Sequence, residues 1–239
     1  MNNRTLIIST SFSTQVLGLV REDSPIDEML IDTRNNHLET AVMNLERLLS
    51  RNSLDARDIG RVVVDVGPGS FTGIRIGVSV ARAFCQSTGV MAIAVSSFDA
   101  LAQGVPVADA GAKKLIVVLK EARKSRVYAA FFRRSGEDHG LDRIGTEHDI
   151  GIADLLVLQE FLDAAGEGNV VFTGDAVLPN EPYIRENFRA PAEFRSCLFP
   201  SAGDYAALAG SGRYPAVSWE RLIPHYIRQS DAEIVRVHG

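Results

Sequence analysis

The chain lacks any long hydrophobic run, and this absence is the first constraint on what it can be. No apolar stretch approaches the roughly 20 residues that a helix needs to cross a bilayer. The apolar run Leu6–Ile8 near the start is also shorter than the core of a signal peptide. We therefore expect a cytoplasmic protein that has no membrane partner.

Cysteine and excess basic charge are also scarce. The two cysteines, Cys85 and Cys197, lie far apart without C-x-x-C spacing, which predicts reduced thiols used as small apolar groups. Lys and Arg number 25 against 30 Asp and Glu, for a formal net charge of -5. Because phosphate contacts need a surplus of basic residues, the composition argues against a general nucleic-acid binder. Any nucleic acid would have to meet a local patch or another subunit.

The chain does contain enough apolar residues, 46% of the total, to bury a full core. Its elements follow an order that is repeated: three strands, then a helix, a strand and further helix and strand segments. The predicted strands are Thr5–Ser11, Gln15–Glu22, Met29–Thr33, Val62–Val66, Met91–Val95, Leu115–Leu119, Val127–Phe132, Arg143–Thr146 and Val170–Thr173, and the predicted helices begin near Asn36, Phe71, Ser97 and Ile152, with a short one at Asp204–Ala209. This order predicts two duplicated α/β lobes, 1–103 and 113–239, joined by a connector rich in small residues.

The stretch Val62–Gln86 is the most informative part of the chain. It predicts a buried strand, a Gly-Pro turn and a helix that begins at Phe71. A Gly-rich turn before a helix can present backbone N–H groups to an anion, and the candidate anion or nucleotide loop comprises Gly67, Gly69, Ser70, Thr72 and Gly73. The loop lacks the lysine of a Walker A motif and matches the dinucleotide fingerprint poorly. A tight turn with Ser70 as N-cap is the structural alternative.

The helix Phe71–Gln86 is apolar around most of its circumference, so it must be covered on more than one side. Its own sheet can cover one side, and the preceding helix, a sister domain or another subunit can cover the second. Gly73 and Gly77 would let a neighbouring helix approach closely. A partner face is predicted at His37, Ala41, Leu45, Ile74, Gly77, Val80, Ala81 and Phe84. A bulky residue at Gly77, or Val80→Glu, is then expected to impair pairing more than folding.

The segment DVGPGSFTGIRIGVSVARAF, residues 65–84, closely resembles the central motif of the TsaB family, also called YeaZ. The resemblance extends over most of the chain, through the N-terminal hairpin, the helix with His37, and the segments Val95–Leu101, Glu121–Tyr128 and Pro224–Arg228. It implies the two-lobed fold of actin, Hsp70 and sugar kinases (ASKHA), in which each lobe is a mixed sheet with flanking helices.

The sequence lacks key residues of three kinds of catalytic site. The first strand carries Ser9 where relatives of this fold usually carry the Asp that holds Mg²⁺. The metal site of the related subunit TsaD uses two His at HxxxH spacing, but here His37 is followed at that distance by Ala41. We therefore expect no metal and no catalytic residue of its own, and the G-x-S-x-G elbow of a peptidase-like hydrolase is also absent.

The resemblance implies a non-catalytic subunit of the tRNA N6-threonylcarbamoyladenosine (t6A37) transferase complex. A TsaD-like subunit would carry out the transfer and a TsaE-like ATPase would bind the pair, while the chain alone would form a homodimer. The chain would have no cofactor of its own, and an adenine nucleotide would lie where the three proteins meet. Two alternatives remain open: an independent ATPase or kinase that uses Asp65 and Asp175, and a dinucleotide-binding oxidoreductase.

A basic segment lies on one predicted hairpin, residues 113–134. Its basic residues are Lys113, Lys114, Lys120, Arg123, Lys124, Arg126, Arg133 and Arg134, with Glu121 as the opposing charge. A solvated hairpin that protects an edge strand is one interpretation. The other is a basic face toward tRNA or an acidic partner, and tRNA would otherwise be met only indirectly.

Overall fold

The computed structural model of the chain describes residues 3–22, 24–32, 40–106, 114–134, 140–166 and 168–227. The described residues divide into two compact units. The first contains the residues up to Ala100 together with Phe199–Tyr226, and the second contains Leu101–Leu198 and Ile227. Among the described residues, no helix combines the length and the hydrophobicity that a membrane crossing requires.

The first unit is built on a six-stranded mixed sheet in the order β11-β5-β4-β1-β2-β3. The antiparallel strands β1, β2 and β3 form a ribbon at one side, while β4 and β5 run parallel to β1. The strands are β1 Arg4–Ser9, β2 Thr14–Arg21, β3 Ser24–Asp32, β4 Arg61–Asp65, β5 Ala92–Val95 and β11 Ala216–Val217.

The second unit has a five-stranded sheet in the order β10-β9-β6-β7-β8. Its strands are β6 Leu115–Glu121, β7 Arg126–Arg134, β8 Leu141–Gly151, β9 Val170–Gly174 and β10 Ala192–Ser196. Numbered by their appearance within each unit, the first five strands have the same spatial order in both sheets, 5-4-1-2-3. The predicted α/β architecture of two mixed sheets with flanking helices is therefore confirmed.

Seven α-helices lie among the described residues. They are α1 Ala41–Arg51, α2 Phe71–Thr88, α3 Ser97–Gln103, α4 Ile152–Leu156, α5 Gln159–Ala165, α6 Val177–Asn187 and α7 Ala202–Gly210. On one face of the first sheet, α1 and α2 contribute Leu45, Leu48, Ile74, Val78 and Ala81 to a core completed by β1, β2 and β4. On the other face, α7 packs through Ala202, Tyr205 and Ala206. Both faces of this sheet are covered, which accounts for the continuous apolar runs in β1 and β4.

The predicted ranges of the lobes differ from the structure in two respects. Residues 199–226, predicted as the end of the second lobe, return to the first unit, and the division near the connector falls at 100/101, inside α3. The physical reason is that α7 supplies the apolar cover for one face of the first sheet. Strand β11 also extends that sheet by pairing with β5.

Smaller differences concern the second unit. The helix predicted at Ile152–Ala165 is interrupted where Leu158 adopts an extended backbone, which separates α4 from α5. Helix α6, which contains Pro182, and strand β10 were not predicted at all. Residues 36–39 of the predicted first helix lie outside the described residues.

Candidate partner-binding site

The turn between β4 and α2 is held by hydrogen bonds from the chain itself. Ser70 is the N-cap of α2, as predicted, and its hydroxyl accepts from the Gly73 N–H at 3.2 Å. The Ser70 N–H donates to the Ser11 carbonyl at 3.0 Å. The Ser97 hydroxyl donates to the Pro68 carbonyl at 2.5 Å, and the Ser97 N–H donates to the Gly67 carbonyl at 2.9 Å. These contacts make the segment a rigid entry into α2.

The predicted nucleotide loop is only partly open to solvent. Gly67 and Gly73 are buried, Gly69 is half-buried, and Ser70 and Thr72 are exposed. Gly67 has a φ of +103°, and a Cβ there would approach the His225 carbonyl oxygen to 2.7 Å. Nucleotide binding at these residues stays a prediction.

A buried carboxylate, that of Asp65, lies directly behind this turn. Its Oδ2 accepts hydrogen bonds from the hydroxyls of Ser9 at 2.8 Å, Ser11 at 2.5 Å and Tyr205 at 2.6 Å. Its Oδ1 accepts from the Gly67 N–H at 2.8 Å. Burial and, to a smaller extent, the negative charge of Asp65 raise the pKa of the Tyr205 hydroxyl well above its usual range. The tyrosine therefore stays protonated and can donate a hydrogen bond at neutral pH.

The arrangement around Asp65 joins three parts of the chain. It ties the end of β1, the turn before α2 and the returning helix α7 to one fully buried side chain. Because both oxygens already accept from donors of the chain, the carboxylate is engaged as a structural anchor rather than presented to a Mg²⁺ ion. Sequence reasoning missed this role, although consecutive hydroxyl residues after a buried strand were a usable signal.

Asp175, the other candidate Mg²⁺ ligand, belongs to the second unit. Its Oδ1 accepts a hydrogen bond from the Glu121 N–H at 2.8 Å. Desolvation raises the pKa of the Asp175 carboxyl, and the positive charge of buried Lys120 opposes that shift. Among the residues that the model describes, no group of three or more His, Cys, Asp or Glu side chains is arranged to hold a metal ion.

The glycines of α2 accommodate Thr10, which follows β1. A Cβ on Gly73 would lie 2.0 Å from the Thr10 carbonyl oxygen, and one on Gly77 would lie 2.3 Å from the Thr10 Oγ1. The same hydroxyl donates to the Gly73 carbonyl at 2.7 Å. The expectation that these glycines make room for a neighbouring helix was wrong, because that space is filled by the chain itself. A bulky residue at Gly77 is therefore expected to damage folding first.

The structure brings most residues of the predicted partner face together, but in the core of the first unit. Ile74 and Ala81 are fully buried, Ala41, Leu45, Gly77 and Phe84 are buried, and Val80 is half-buried. His37 lies outside the described residues. The side chains of this set mainly pack on the sheet, so a partner would meet their exposed neighbours instead.

We define the α1–α2 face by the apolar residues of the two helices that are exposed or half-buried, one of which, Val80, belongs to the predicted set: Val42, Met43, Ile76, Val80 and Ala83. Val42 and Met43 lie in the first turn of α1 and are 52% and 51% exposed. Ile76 and Val80 are half-buried and Ala83 is exposed on α2. The helical period could have separated the outward positions 42 and 43 from the inward positions 41 and 45.

The second cover of α2 comes from one of the sources considered, the preceding helix α1. A further cover, which was not considered, is the returning segment Trp219–Tyr226 of the same unit. The Phe71 and Tyr226 ring centroids are 4.9 Å apart, and the Arg82 guanidinium lies 5.8 Å from the Trp219 ring centroid. The flank of α2 that carries Phe71 and Arg82 is thus lined by the returning segment.

Most basic side chains of the hairpin are buried or are bound by other groups of the second unit. Lys114 pairs with Glu193 at 2.8 Å and Arg126 with Asp149 at 2.5 Å. Lys120 is buried. Arg133 donates to the Ala164 carbonyl, and Arg134 donates to the carbonyls of Ala102 and Gln103 at the end of α3. Arg123 and Lys124 are exposed at the turn, and Lys113 lies outside the described residues. A continuous basic face is therefore not formed by the described part of this hairpin.

Comparisons with known proteins agree with the resemblance seen in the motif. A family model described as TsaD: tRNA N6-adenosine threonylcarbamoyltransferase matches residues 32–187. The chain is 28% identical to the Bacillus subtilis tRNA threonylcarbamoyladenosine biosynthesis protein TsaB over 95% of each chain. It is also 31% identical to an uncharacterized protein of Mycobacterium tuberculosis over 97% of this chain and 95% of that one.

A solved structure supports the fold. YeaZ from Pseudomonas aeruginosa superposes with a TM-score of 0.75 and 20% identity, over 94% of this chain and 100% of that chain. The family model covers more than half of the sequence, and the named relative aligns almost from end to end. The chain therefore belongs to the TsaB (YeaZ) family of tRNA threonylcarbamoyladenosine biosynthesis proteins.

Proposed function

We propose that this protein is a non-catalytic subunit of a tRNA N6-threonylcarbamoyladenosine transferase complex and supports a TsaD-like catalytic subunit through its α1–α2 face. The observation that carries the proposal is the near end-to-end similarity to a protein named for threonylcarbamoyladenosine biosynthesis. Membership in this family ties the chain to the modification of tRNA. Within the tRNA-modification pathway, two features of the first unit favour a supporting role: the buried Asp65 carboxylate and the exposed apolar residues of the α1–α2 face.

The buried chemistry favours a non-catalytic role because the carboxylate best placed for phosphoryl transfer is already engaged. Asp65 accepts four hydrogen bonds from its own unit, and Ser9 replaces the Asp expected at the end of the first strand. An independent ATPase or kinase would need an open carboxylate to hold Mg²⁺. Mg·ATP turnover by the purified chain alone would favour that alternative.

The surface chemistry favours a protein partner. Val42 and Met43 are two exposed apolar residues in the first turn of α1, and α2, which contacts α1, carries the half-buried apolar residues Ile76 and Val80. Exposed apolar residues in a cluster are typical of protein interfaces. A matching helical face on the TsaD-like subunit would bury them, and a second copy of this chain would cover the same face when the protein is alone. A TsaE-like ATPase and a shared adenine nucleotide are further parts of the proposed complex.

The proposal predicts that tRNA modification depends on this chain. The experiment is a reconstitution with the TsaD-like and TsaE-like proteins, an ANN-reading tRNA and the threonylcarbamoyl donor, with and without the chain. Nucleoside analysis of the tRNA should show N6-threonylcarbamoyladenosine only when the chain is present. Equal modification without the chain would rule out the supporting role.

A second prediction concerns the α1–α2 face. Met43→Glu should weaken binding to the TsaD-like subunit by about 10-fold or more, because a charge would be buried in an apolar contact. Isothermal titration calorimetry measures the affinity directly. Since Met43 is exposed, circular dichroism should show an unchanged fold.

The matched control is Met91→Glu. Met91 is exposed to a similar extent, 45%, and precedes β5. Strands β4 and β1 separate β5 from β2 and β3, which α1 contacts. Its substitution should leave the affinity within about twofold of the original. If Met43→Glu binds as well as the control, the partner does not use this face.

A further inference from the structure

Two arginines of α2 lie on the flank opposite the α1–α2 face and are backed by aromatic rings. The Arg75 guanidinium carbon is 3.9 Å from the Phe71 ring centroid, and its Nε donates to the Tyr226 hydroxyl at 3.1 Å. The Arg82 guanidinium lies 5.8 Å from the Trp219 ring centroid. Because they are two helical turns apart, the arginines share one side of α2 and are separated by about 10 Å along its axis.

These two cations are not neutralised within the described part of the chain. Neither Arg75 nor Arg82 forms an ion pair with a described carboxylate, unlike Arg51 or Arg126. The exposed carboxylate of Glu220 feels the charge of Arg82. A hydrogen bond from Ser218 and, more weakly, the charge of Arg82 lower the pKa of the Glu220 carboxyl. The flank is therefore a local positive surface on a protein whose formal net charge is -5.

The contacts of Arg75 leave its guanidinium available to an external anion. It lies one turn into α2, at the end of the helix where a cation opposes the macrodipole and gains nothing from it. The Phe71 ring and the Tyr226 hydroxyl hold the guanidinium in one orientation, while its two terminal nitrogens have no acceptor among the described residues. A planar guanidinium held in this way matches the oxygens of a phosphate.

Aromatic rings between the arginines add a second kind of recognition. Phe71, Trp219 and Tyr226 are all half-buried, so each residue keeps part of its surface exposed to solvent. Arginine planes and aromatic rings that alternate along a surface are typical of single-stranded nucleic-acid binding, in which phosphates meet the cations and bases stack on the planes. An acidic protein segment would use the cations but would leave the rings without a role.

We propose that this Arg–aromatic surface, formed by Arg75, Arg82, Phe71, Trp219 and Tyr226, binds a single-stranded region of the tRNA substrate through its phosphates and bases. The inference rests on the proposed function, which brings a tRNA to the complex. It gives the chain a direct RNA contact made by residues other than those of the α1–α2 face and of the basic hairpin.

The test compares the double variant Arg75→Gln/Arg82→Gln with the original protein. Fluorescence anisotropy measures the binding of labelled tRNA by the assembled complex and by the full chain alone, at several salt concentrations. The double variant should bind tRNA about 10-fold more weakly, and the slope of log affinity against log salt should fall by about 1.4, for two lost contacts to single-strand phosphates. Both arginines are at the surface, and circular dichroism should show an intact fold.

Arg185→Gln is the matched control. Arg185 also lies over an aromatic ring, 4.3 Å from the Phe194 centroid, but it pairs with Glu181 at 2.7 Å. Its substitution should leave tRNA affinity and salt slope unchanged. Unchanged tRNA binding by the double variant would overturn the inference, as would a loss of affinity for the TsaD-like subunit alone. Neither outcome bears on whether tRNA modification depends on the chain, which the reconstitution with and without the chain tests separately.

Discussion

Asp65→Asn is expected to lower the free energy of unfolding of the first unit by about 3 kcal/mol. The carboxylate accepts four hydrogen bonds in a fully buried position, and an amide nitrogen in place of one oxygen would face donors instead. Loss of one partner in a buried charged network typically costs several kcal/mol. Hydrogen exchange of the β4 amides under increasing urea reports the stability of this unit separately from the other.

Two variants calibrate the Asp65 result. Tyr205→Phe removes one of the four donors and should cost about 1–2 kcal/mol. Asp163→Asn makes the same substitution at an exposed carboxylate of the second unit and should change stability by less than about 0.5 kcal/mol. If Asp65→Asn is no more destabilising than Asp163→Asn, the cluster does not anchor the unit.

Gly73→Ala and Gly77→Ala should both be destabilising, and only the second should be rescued by Thr10→Ala. The added Cβ at Gly77 meets the Thr10 hydroxyl, which the alanine removes, whereas the Cβ at Gly73 meets the Thr10 backbone carbonyl, which remains. Overpacking of this kind costs about 1–3 kcal/mol, and we expect about 2 kcal/mol at Gly77 and about 3 kcal/mol at Gly73.

A double-mutant cycle measured by urea unfolding tests the difference. Thr10→Ala combined with Gly77→Ala should be more stable than the sum of the single effects by about 1 kcal/mol, since the steric conflict has gone. Thr10→Ala combined with Gly73→Ala should show no such recovery. Equal coupling in both cycles would contradict the close approach of Thr10 to α2.

The sequence was sufficient for features that are set by local pattern. Most of the elements and their succession along the chain followed from apolar runs, and Ser70 as N-cap followed from the Gly-rich turn before Phe71. Helix α6 was missed because Pro179 and Pro182 stand in its first half, where proline normally marks the end of a helix.

Long-range partners could not be predicted from the same patterns. Nothing near Asp65 in the sequence indicates that Tyr205, 140 positions away, donates to it. The sequence left the basic hairpin open between a solvated hairpin and a basic face, because Glu193 and Asp149, which pair with Lys114 and Arg126, belong to other strands. The partner face was predicted as a stripe of apolar residues, but the inward-facing part of that stripe is what the sheet itself covers.

The return of Phe199–Tyr226 to the first unit also affects how the protein folds during synthesis. While the ribosome is still making the second unit, β1, β4 and α2 are already available, but Tyr205 and Trp219 do not yet exist. One face of the first sheet, the Asp65 carboxylate and a flank of α2 therefore remain without their final partners until synthesis is nearly complete. The first unit to be translated is thus finished together with the second, so the two cannot fold strictly one after the other from the N-terminus.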